Sequence, residues 1–180
     1  MAKITRLYDL FQPEHYDIFL DISRETKHFR GKTVIQGIAQ QTEIALHQKD
    51  LEVKVVYVND EKTPFEIDSA NEVIRLQLSQ AGNVTLTVEY EAELTDSMMG
   101  IYPSYYEVDG VQKQLVGTQF ETTFARQAFP GIDEPEAKAT FDLAIKYDEH
   151  DGETILSNMP EIKVVDGIHY FDTTVKMSTY

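Results

Sequence analysis

The chain contains no cysteine, which excludes a disulfide framework, a cysteine-ligated zinc or iron–sulfur centre and a thiol nucleophile. That absence fits a reducing compartment. Basic charge is scarce too: 16 Lys and Arg stand against 31 Asp and Glu, a formal charge of −15. A field of that sign repels phosphate backbones and anionic headgroups, so no nucleic acid and no membrane surface is expected as a partner. Long apolar runs are missing. Pieces such as Val55–Val58 fall far short of the roughly 18 residues that cross a bilayer. The opening, Met1 to Phe11, mixes Lys3, Arg6 and Asp9 among short apolar pieces, without the apolar stretch of roughly 7–15 residues that a signal peptide needs; it reads as a cytoplasmic start. A hydrophobic fraction of 42% over 180 residues still suffices for a real core, which excludes intrinsic disorder as the main description.

Self-sufficient catalytic motifs are also lacking. The five histidines, His15, His28, His47, His150 and His169, include no pair three or four residues apart, so an H-E-x-x-H zinc helix cannot be drawn. Asp148, Glu149, Asp151 and Glu153 crowd around His150 and invite a calcium reading. The EF-hand frame fails, because Gly152 at its sixth position puts Tyr147 where the first Asp belongs, and a solvated turn is expected instead. There is no G-x-S-x-G elbow, phosphate-binding loop or dinucleotide fingerprint, and nothing selects one carboxylate pair from the many available.

Alternation dominates what is present. Val84, Leu86, Val88, Tyr90, Ala92 and Leu94 face one way, and Thr85, Thr87, Glu89, Glu91 and Glu93 the other. The same period marks Tyr16 to Ile22, Leu51 to Val58, Val73 to Leu78 with Ile74, Leu76 and Leu78 inward, and Phe141, Leu143, Ile145 and Tyr147. Asp109-Gly110 and Asp166-Gly167 supply hairpin turns, with Asp151-Gly152 and Gly82-Asn83 as further turn candidates. Only Glu134 to Thr140 reads as helix, for one or two turns, with Pro135 in the first turn. These features predict a mainly all-β, predominantly antiparallel β-sandwich or set of packed sheets with one short helix. No repeat or linker divides the chain, so residues 1–180 are read as a single domain.

One segment departs from the alternation: Gly117 to Phe141, GTQFETTFARQAFPGIDEPEAKATF. Gln119 and Glu121 fall on one side of an extended stretch, about 7 Å apart, and Phe120 on the other. Such a pair suits a ligand carrying a cation and hydrogen-bond donors, although an ordinary solvent-facing strand has the same spacing. Phe129-Pro130-Gly131 and Asp133-Glu134-Pro135 then predict a rigid corner, with Arg126 pairing with Asp133 or Glu134 to hold it. Phe120, Phe124, Phe129 and Ile132 are expected to form an exposed patch.

The string T-Q-F-E at Thr118–Glu121, with Phe129-Pro130, Asp133-Glu134-Pro135, Lys138-Ala139 and Phe141, resembles the N-terminal domain of the zinc aminopeptidases of the aminopeptidase N family. The likeness extends to Met99-Gly100-Ile101-Tyr102 with Ser104 and Tyr106, to Arg6–Ile22 with Pro13 and Tyr16, and to Met177–Tyr180, which looks like a strand entering the next domain. It departs at Gly131 and Ile132, where many relatives carry Cys and Phe. The resemblance implies a saddle-shaped N-terminal β domain of a larger hydrolase, with the zinc ligands and catalytic residues in a downstream catalytic domain and none here. It implies that Glu121 binds the α-ammonium of a peptide substrate, that Gln119 lines the pocket for the first side chain, and that residues 1–180 alone are inactive. Fixing the amine fixes the distance to the scissile carbonyl. A stand-alone β-sandwich that binds peptide or glycan, or serves as a scaffold, is the competing reading. A third keeps the fold and changes the reaction, since some members of the family also hydrolyse an epoxide.

Overall fold

The alternating segments are strands in the computed structural model, which describes residues 6–180. Met1–Thr5, part of the stretch read as a cytoplasmic start, lies outside the described residues. The strands are β1 (Phe11–Ser23), β2 (His28–Ala39), β3 (Glu43–His47), β4 (Glu52–Val58), β5 (Glu61–Lys62), β6 (Phe65–Asp68) and β7 (Val73–Gln77). They continue with β8 (Gly82–Glu93), β9 (Gly100–Val108), β10 (Val111–Gln119), β11 (Thr140–Tyr147), β12 (Glu161–Val165) and β13 (Ile168–Phe171). An eight-stranded sheet runs β12-β13-β11-β1-β2-β8-β4-β5; β3, β7 and β6 form a three-stranded sheet, and β9 with β10 a two-stranded one. The fold is therefore mainly β in several sheets, as expected. No helix among the described residues is long and apolar enough to cross a membrane.

Most pairings are antiparallel, with one informative exception. β11 runs parallel to β1, in register from His15 opposite Thr140 to Ile22 opposite Tyr147. A parallel neighbour needs a long return path. Here the path runs from β2 through β10 and the polar corner, so nine strands lie in sequence between two adjacent ones. Pro13 has no N–H to give a ladder, and the β1–β2 register slips between Pro13 and His15, where a bulge absorbs it.

All six inward residues expected in Val84–Leu94 are buried, as are Tyr16, Ile18, Leu20 and Ile22 of β1 and Ile74, Leu76 and Leu78 around β7. β4 keeps only Val56 fully inside, because a register shift between Val53 and Val55 breaks its alternation. In β11, Phe141 and Ala144 are buried on opposite faces while Leu143, Ile145 and Tyr147 are half-covered, so both faces of this strand have neighbours. Tyr16 stacks on Phe141 at 4.9 Å between ring centroids, and Phe129 meets both rings edge-on.

The turns at Asp109-Gly110 and Asp166-Gly167 have positive φ at both residues, as a two-residue hairpin requires. Gly82-Asn83, by contrast, begins β8. The helix expected at Glu134–Thr140 is absent. That stretch makes one turn, from Ala137 N–H to the Glu134 carbonyl, and then extends as Ala139 pairs with Met177. Ala137, Ala139 and Phe141 are buried at a spacing of two while Lys138 faces out, so strand burial overrides local helix propensity. The helical pieces that do occur are 3-10 turns at Leu7–Asp9 and Ala125–Gln127. Met177–Tyr180 contributes that single bridge and no strand.

Gly31 lies directly opposite Tyr90, and a methyl group at Gly31 would fall 2.2 Å from the Tyr90 ring. The ring cannot swing away, because its hydroxyl bonds Thr33 at 3.0 Å and it packs T-shaped with Phe29. Gly31→Ala is expected to destabilise the protein by about 2–3 kcal/mol through overpacking. Gly117→Ala, whose methyl meets Tyr102 at an ordinary 3.6 Å, is the mild control. Urea unfolding of the two variants checks the contrast, and equal midpoints would refute it.

Candidate functional site

The T-Q-F-E string sits where a strand ends. Thr118 and Gln119 close β10, and Glu121 begins a turn in which the Phe124 N–H donates to the Phe120 carbonyl at 2.9 Å. The Glu121–Thr122 peptide bond is cis. Gln119 and Glu121 are both exposed, and neither side chain makes a hydrogen bond or ion pair among the described residues. Phe120 turns inward and packs edge-on against Phe129 at 6.0 Å, which ties the exposed turn to the Tyr16–Phe141 stack.

The corner that follows is held from inside by a buried carboxylate. Asp133, 2% exposed, accepts from Arg126 Nε at 3.0 Å, from the Arg126 backbone N–H at 3.3 Å and from the Thr179 hydroxyl at 2.7 Å. The other end of the guanidinium donates to Glu72 at 3.1 Å and to the Asp133 carbonyl at 3.3 Å. Of the two acids offered as partners for Arg126, only Asp133 takes that part. Glu134 instead accepts from the Leu7 N–H at 2.8 Å and the Tyr8 N–H at 3.3 Å, pinning the first 3-10 turn.

His47, Glu72 and Thr179 complete the network without any sequence signal that points to them. The His47 backbone exchanges hydrogen bonds with Gly131 at 2.8 and 3.1 Å, and its ring Nδ1 accepts from the Asp133 N–H at 3.1 Å. An accepting nitrogen requires the neutral ring. Burial, reinforced by the Arg126 charge and opposed by Asp133, pushes the His47 pKa down to about 4. The Lys49 ammonium, 2.7 Å from Glu72, holds that carboxyl below its usual range against the desolvation that raises it, and Arg126 helps. Tyr16 accepts from the Ile132 N–H at 3.0 Å, and burial pushes its phenol well up. A side chain at Gly131 would press on the Tyr16 ring at 2.9 Å, so this corner packs around glycine.

The exposed patch expected across this segment is not formed as drawn. Phe129 and Ile132 are core residues, while Phe120 and Phe124 are only half-covered. Of the acids around His150, Asp148 accepts from the Arg24 N–H at 2.9 Å and Glu153 pairs with the Arg24 guanidinium.

The site is thus a polar turn at the end of a hairpin strand, backed by aromatic packing and a buried Arg–Asp pair in a multi-sheet β domain. The family described as Peptidase M1 N-terminal domain matches residues 12–180, and the chain belongs to it. It is 51% identical over 177 residues to "Aminopeptidase N" of Lactobacillus delbrueckii subsp. lactis and 55% identical over 177 residues to "Aminopeptidase N" of Lactococcus lactis subsp. cremoris. It is 35% identical over 195 residues to "Endoplasmic reticulum aminopeptidase 1" of Mus musculus. These alignments take in 97–98% of this chain and 21% of each relative, so the chain spans about a fifth of their length.

Two outcomes follow from the corner. Asp133→Ala leaves Arg126 without its buried partner and is expected to cost about 3–5 kcal/mol in chemical unfolding. A loss below about 1 kcal/mol would show that the pair does not anchor the corner. His47 makes stability depend on pH. Its folded pKa, about 4, lies below its unfolded value of 6.5, so the unfolded chain binds the extra proton between them. Its contribution is complete above pH 6.5 and is lost as pH falls towards 4, at most about 3 kcal/mol in all. The raised pKa of His169, set mainly by its hydrogen bond to Glu161, acts the other way and above that window. Its stabilisation is complete below pH 6.5 and fades as pH rises through the raised value. Unfolding midpoints from pH 7 to 4, compared between the protein and His47→Gln, check this. Parallel pH profiles would rule the His47 account out.

Proposed function

We propose that this chain is the N-terminal domain of a zinc aminopeptidase and that Glu121 supplies a carboxylate for the free α-ammonium of the peptide to be shortened. The observation that carries this reading is that Glu121 is exposed and has no hydrogen-bond or ion-pair partner among the described residues, while the turn bearing it is fastened at both ends, by Phe120 on Phe129 and by Arg126 on Asp133. A carboxylate with no internal partner is available to a ligand cation, and a fastened backbone limits the entropy lost when that cation is bound. An exopeptidase must tell a chain end from an internal amide, and the ammonium charge is the difference a carboxylate can read. Gln119, at the end of β10, offers both a donor and an acceptor beside the first side chain.

The described residues contain no group of three or more His, Asp or Glu disposed to hold a metal ion. In this reading the zinc ligands, the catalytic groups and the rest of the substrate pocket belong to polypeptide beyond residue 180, and this domain binds and orients without catalysing. The names and lengths of the relatives favour that arrangement over a self-sufficient binding module. The cytoplasm is the compartment we assign, in keeping with a chain that has no cysteine.

In the full-length protein, Glu121→Gln is expected to lower kcat/KM for free-amine peptides about 10- to 100-fold, the worth of one charge-assisted hydrogen bond, with zinc content unchanged. Steady-state kinetics with elemental analysis measures both. Unaltered kcat/KM removes Glu121 from the site, and zinc lost in parallel makes its role structural.

A further inference from the structure

The β9–β10 hairpin has one edge without a neighbour. In a two-residue hairpin the residues that flank the turn, here Val108 and Val111, exchange both backbone hydrogen bonds, and the pairs along the ladder then alternate. Lys113, Leu115, Gly117 and Gln119 therefore bond to β9, while Gln112, Gln114, Val116 and Thr118 turn their N–H and C=O groups away from it. Two features of β9 agree with this register. Pro103, which has no N–H to give, stands opposite Val116 at an outward-turned position, and Ile101, opposite Thr118, accepts at its outward carbonyl from the Thr95 N–H at 2.8 Å. On the far side of β10 no strand pairs, and the outward groups of Gln114, Val116 and Thr118 meet no backbone partner among the described residues.

A cleft of about 470 Å³ runs along that edge, lined by every β10 residue from 114 to 118. Successive strand side chains point to opposite faces, so a cleft that touches all of these residues meets the strand from its edge. Ile22, Ile101 and Ile145 give the cleft an apolar lining. The irregular stretch over 152–156 lines it too, and residues 154–156 make no backbone hydrogen bond among the described residues. Leu156 is left 84% exposed there. The edge from Gln114 to Thr118 is about 13 Å long, enough for about five residues of an added strand. Thr118 opens the T-Q-F-E string, so the cleft leads to the candidate site.

Other strand edges are guarded. β12 carries Glu161 and Lys163 with a register shift between them, β5 is two residues long, and β9 has Pro103 on its outer edge. Over 114–118, β10 has no charge, no proline and no register shift, which leaves it an open template for another strand. A second copy is a poor occupant, because each copy of this chain carries a formal charge of −15. Polypeptide beyond residue 180 is a better one. The chain spans 21% of the length of the relatives it matches, and Tyr180 follows Thr179, whose hydroxyl donates to Asp133 in the corner next to the T-Q-F-E turn. We infer that in the full-length protein an extended, mainly apolar segment from beyond residue 180 lies in this cleft and pairs with β10 as a third strand of the hairpin sheet. The inference rests on reading residues 1–180 as one domain of a longer chain, and it does not depend on the role of Glu121. The backbone of the added strand bonds the outward groups of Gln114, Val116 and Thr118, and its alternate side chains lie against Ile22, Ile101 and Ile145.

Residue-resolved hydrogen exchange of the full-length protein, without substrate, tests this. The amides of Gln114, Val116 and Thr118 are expected to exchange at least about 100-fold more slowly than in an unstructured chain, in the manner of Lys113, Leu115 and Gly117, which β9 protects. Val116→Pro removes one outward donor at a position where the β9 ladder needs none. It is expected to speed exchange at Gln114 and Thr118 at least about tenfold while Lys113 and Leu115 stay slow. The inference is overturned if the three amides of the parent exchange within about tenfold of the unstructured rate, or if Val116→Pro leaves Gln114 and Thr118 unchanged. Protection that appears only with added peptide gives the cleft to substrate, and protection that fades on dilution gives it to a second copy; either result overturns the inference as well. Should Val116→Pro melt the hairpin, seen as fast exchange at Lys113 and Leu115, photo-cross-linking from benzoylphenylalanine in place of Leu156 decides. A cross-link to a residue beyond 180 is expected, and none, or cross-links confined to residues 1–180, overturns the inference. Unaltered kinetics in Glu121→Gln would end the amine-binding reading and leave the exchange pattern standing.

Discussion

The buried Asp133 carboxylate is the interaction on which the arrangement of this domain turns. A carboxylate that is 2% exposed persists only if it is paired and hydrogen-bonded, and each of its partners comes from a different part of the chain. Arg126 brings the end of the T-Q-F-E turn, and Thr179 brings the far end of the described chain. The Asp133 N–H fixes His47 at the end of β3, and the neighbouring Ile132 N–H bonds Tyr16 at the centre of β1. Two adjacent residues, Ile132 and Asp133, thus tie the large sheet, the small sheet and the polar turn to a common point. Such a node specifies geometry more than it adds stability, because desolvating Arg126 and Asp133 cancels much of their attraction. What it contributes is a fixed distance between elements that share no hydrogen-bonded ladder.

Where one face of a strand meets the core and the other meets water, the alternation of residues was enough to read the fold. β8 is the clear case, because every second side chain from Val84 to Leu94 is buried. Hairpins were legible where glycine supplied a positive φ. The turn at Asn59-Asp60 was not, although both residues have positive φ, since the signal there is carried by the Asn59 side chain, which accepts from the Thr85 N–H at 2.9 Å. The stretch over 134–140 misled for a different reason. Its residues are good helix formers in isolation, yet Ala137, Ala139 and Phe141 are drawn inward two by two as the chain enters β11. The parallel pairing of β1 with β11 was out of reach, because nothing local distinguishes a parallel neighbour from an antiparallel one.

At the candidate site the division is similar. Arg126 with Asp133 was legible because a lone cation followed by acids in a proline-bounded corner has few other uses. His47 and Glu72 were not, because they lie 79 and 54 residues from Arg126 in the chain and reach it only through the packing of the small sheet. The patch expected from Phe120, Phe124, Phe129 and Ile132 failed because two of these side chains are what the corner is built around. Aromatic content near a polar turn marks the turn's foundation as readily as its surface.

That foundation also bears on the charge at Glu121. Arg126 is the basic residue closest to Glu121 in sequence, five positions on, and a flexible arginine there would be a natural internal counter-ion. It is not available. Its guanidinium is already occupied by Asp133, Glu72 and the Asp133 carbonyl, within a corner held at several other points. Moving it towards Glu121 would strand the buried Asp133 carboxylate, at a cost of several kcal/mol that an exposed ion pair, worth about 0–1 kcal/mol, cannot offset. The same pair that fixes the backbone of the turn therefore keeps Arg126 from neutralising the acid at Glu121.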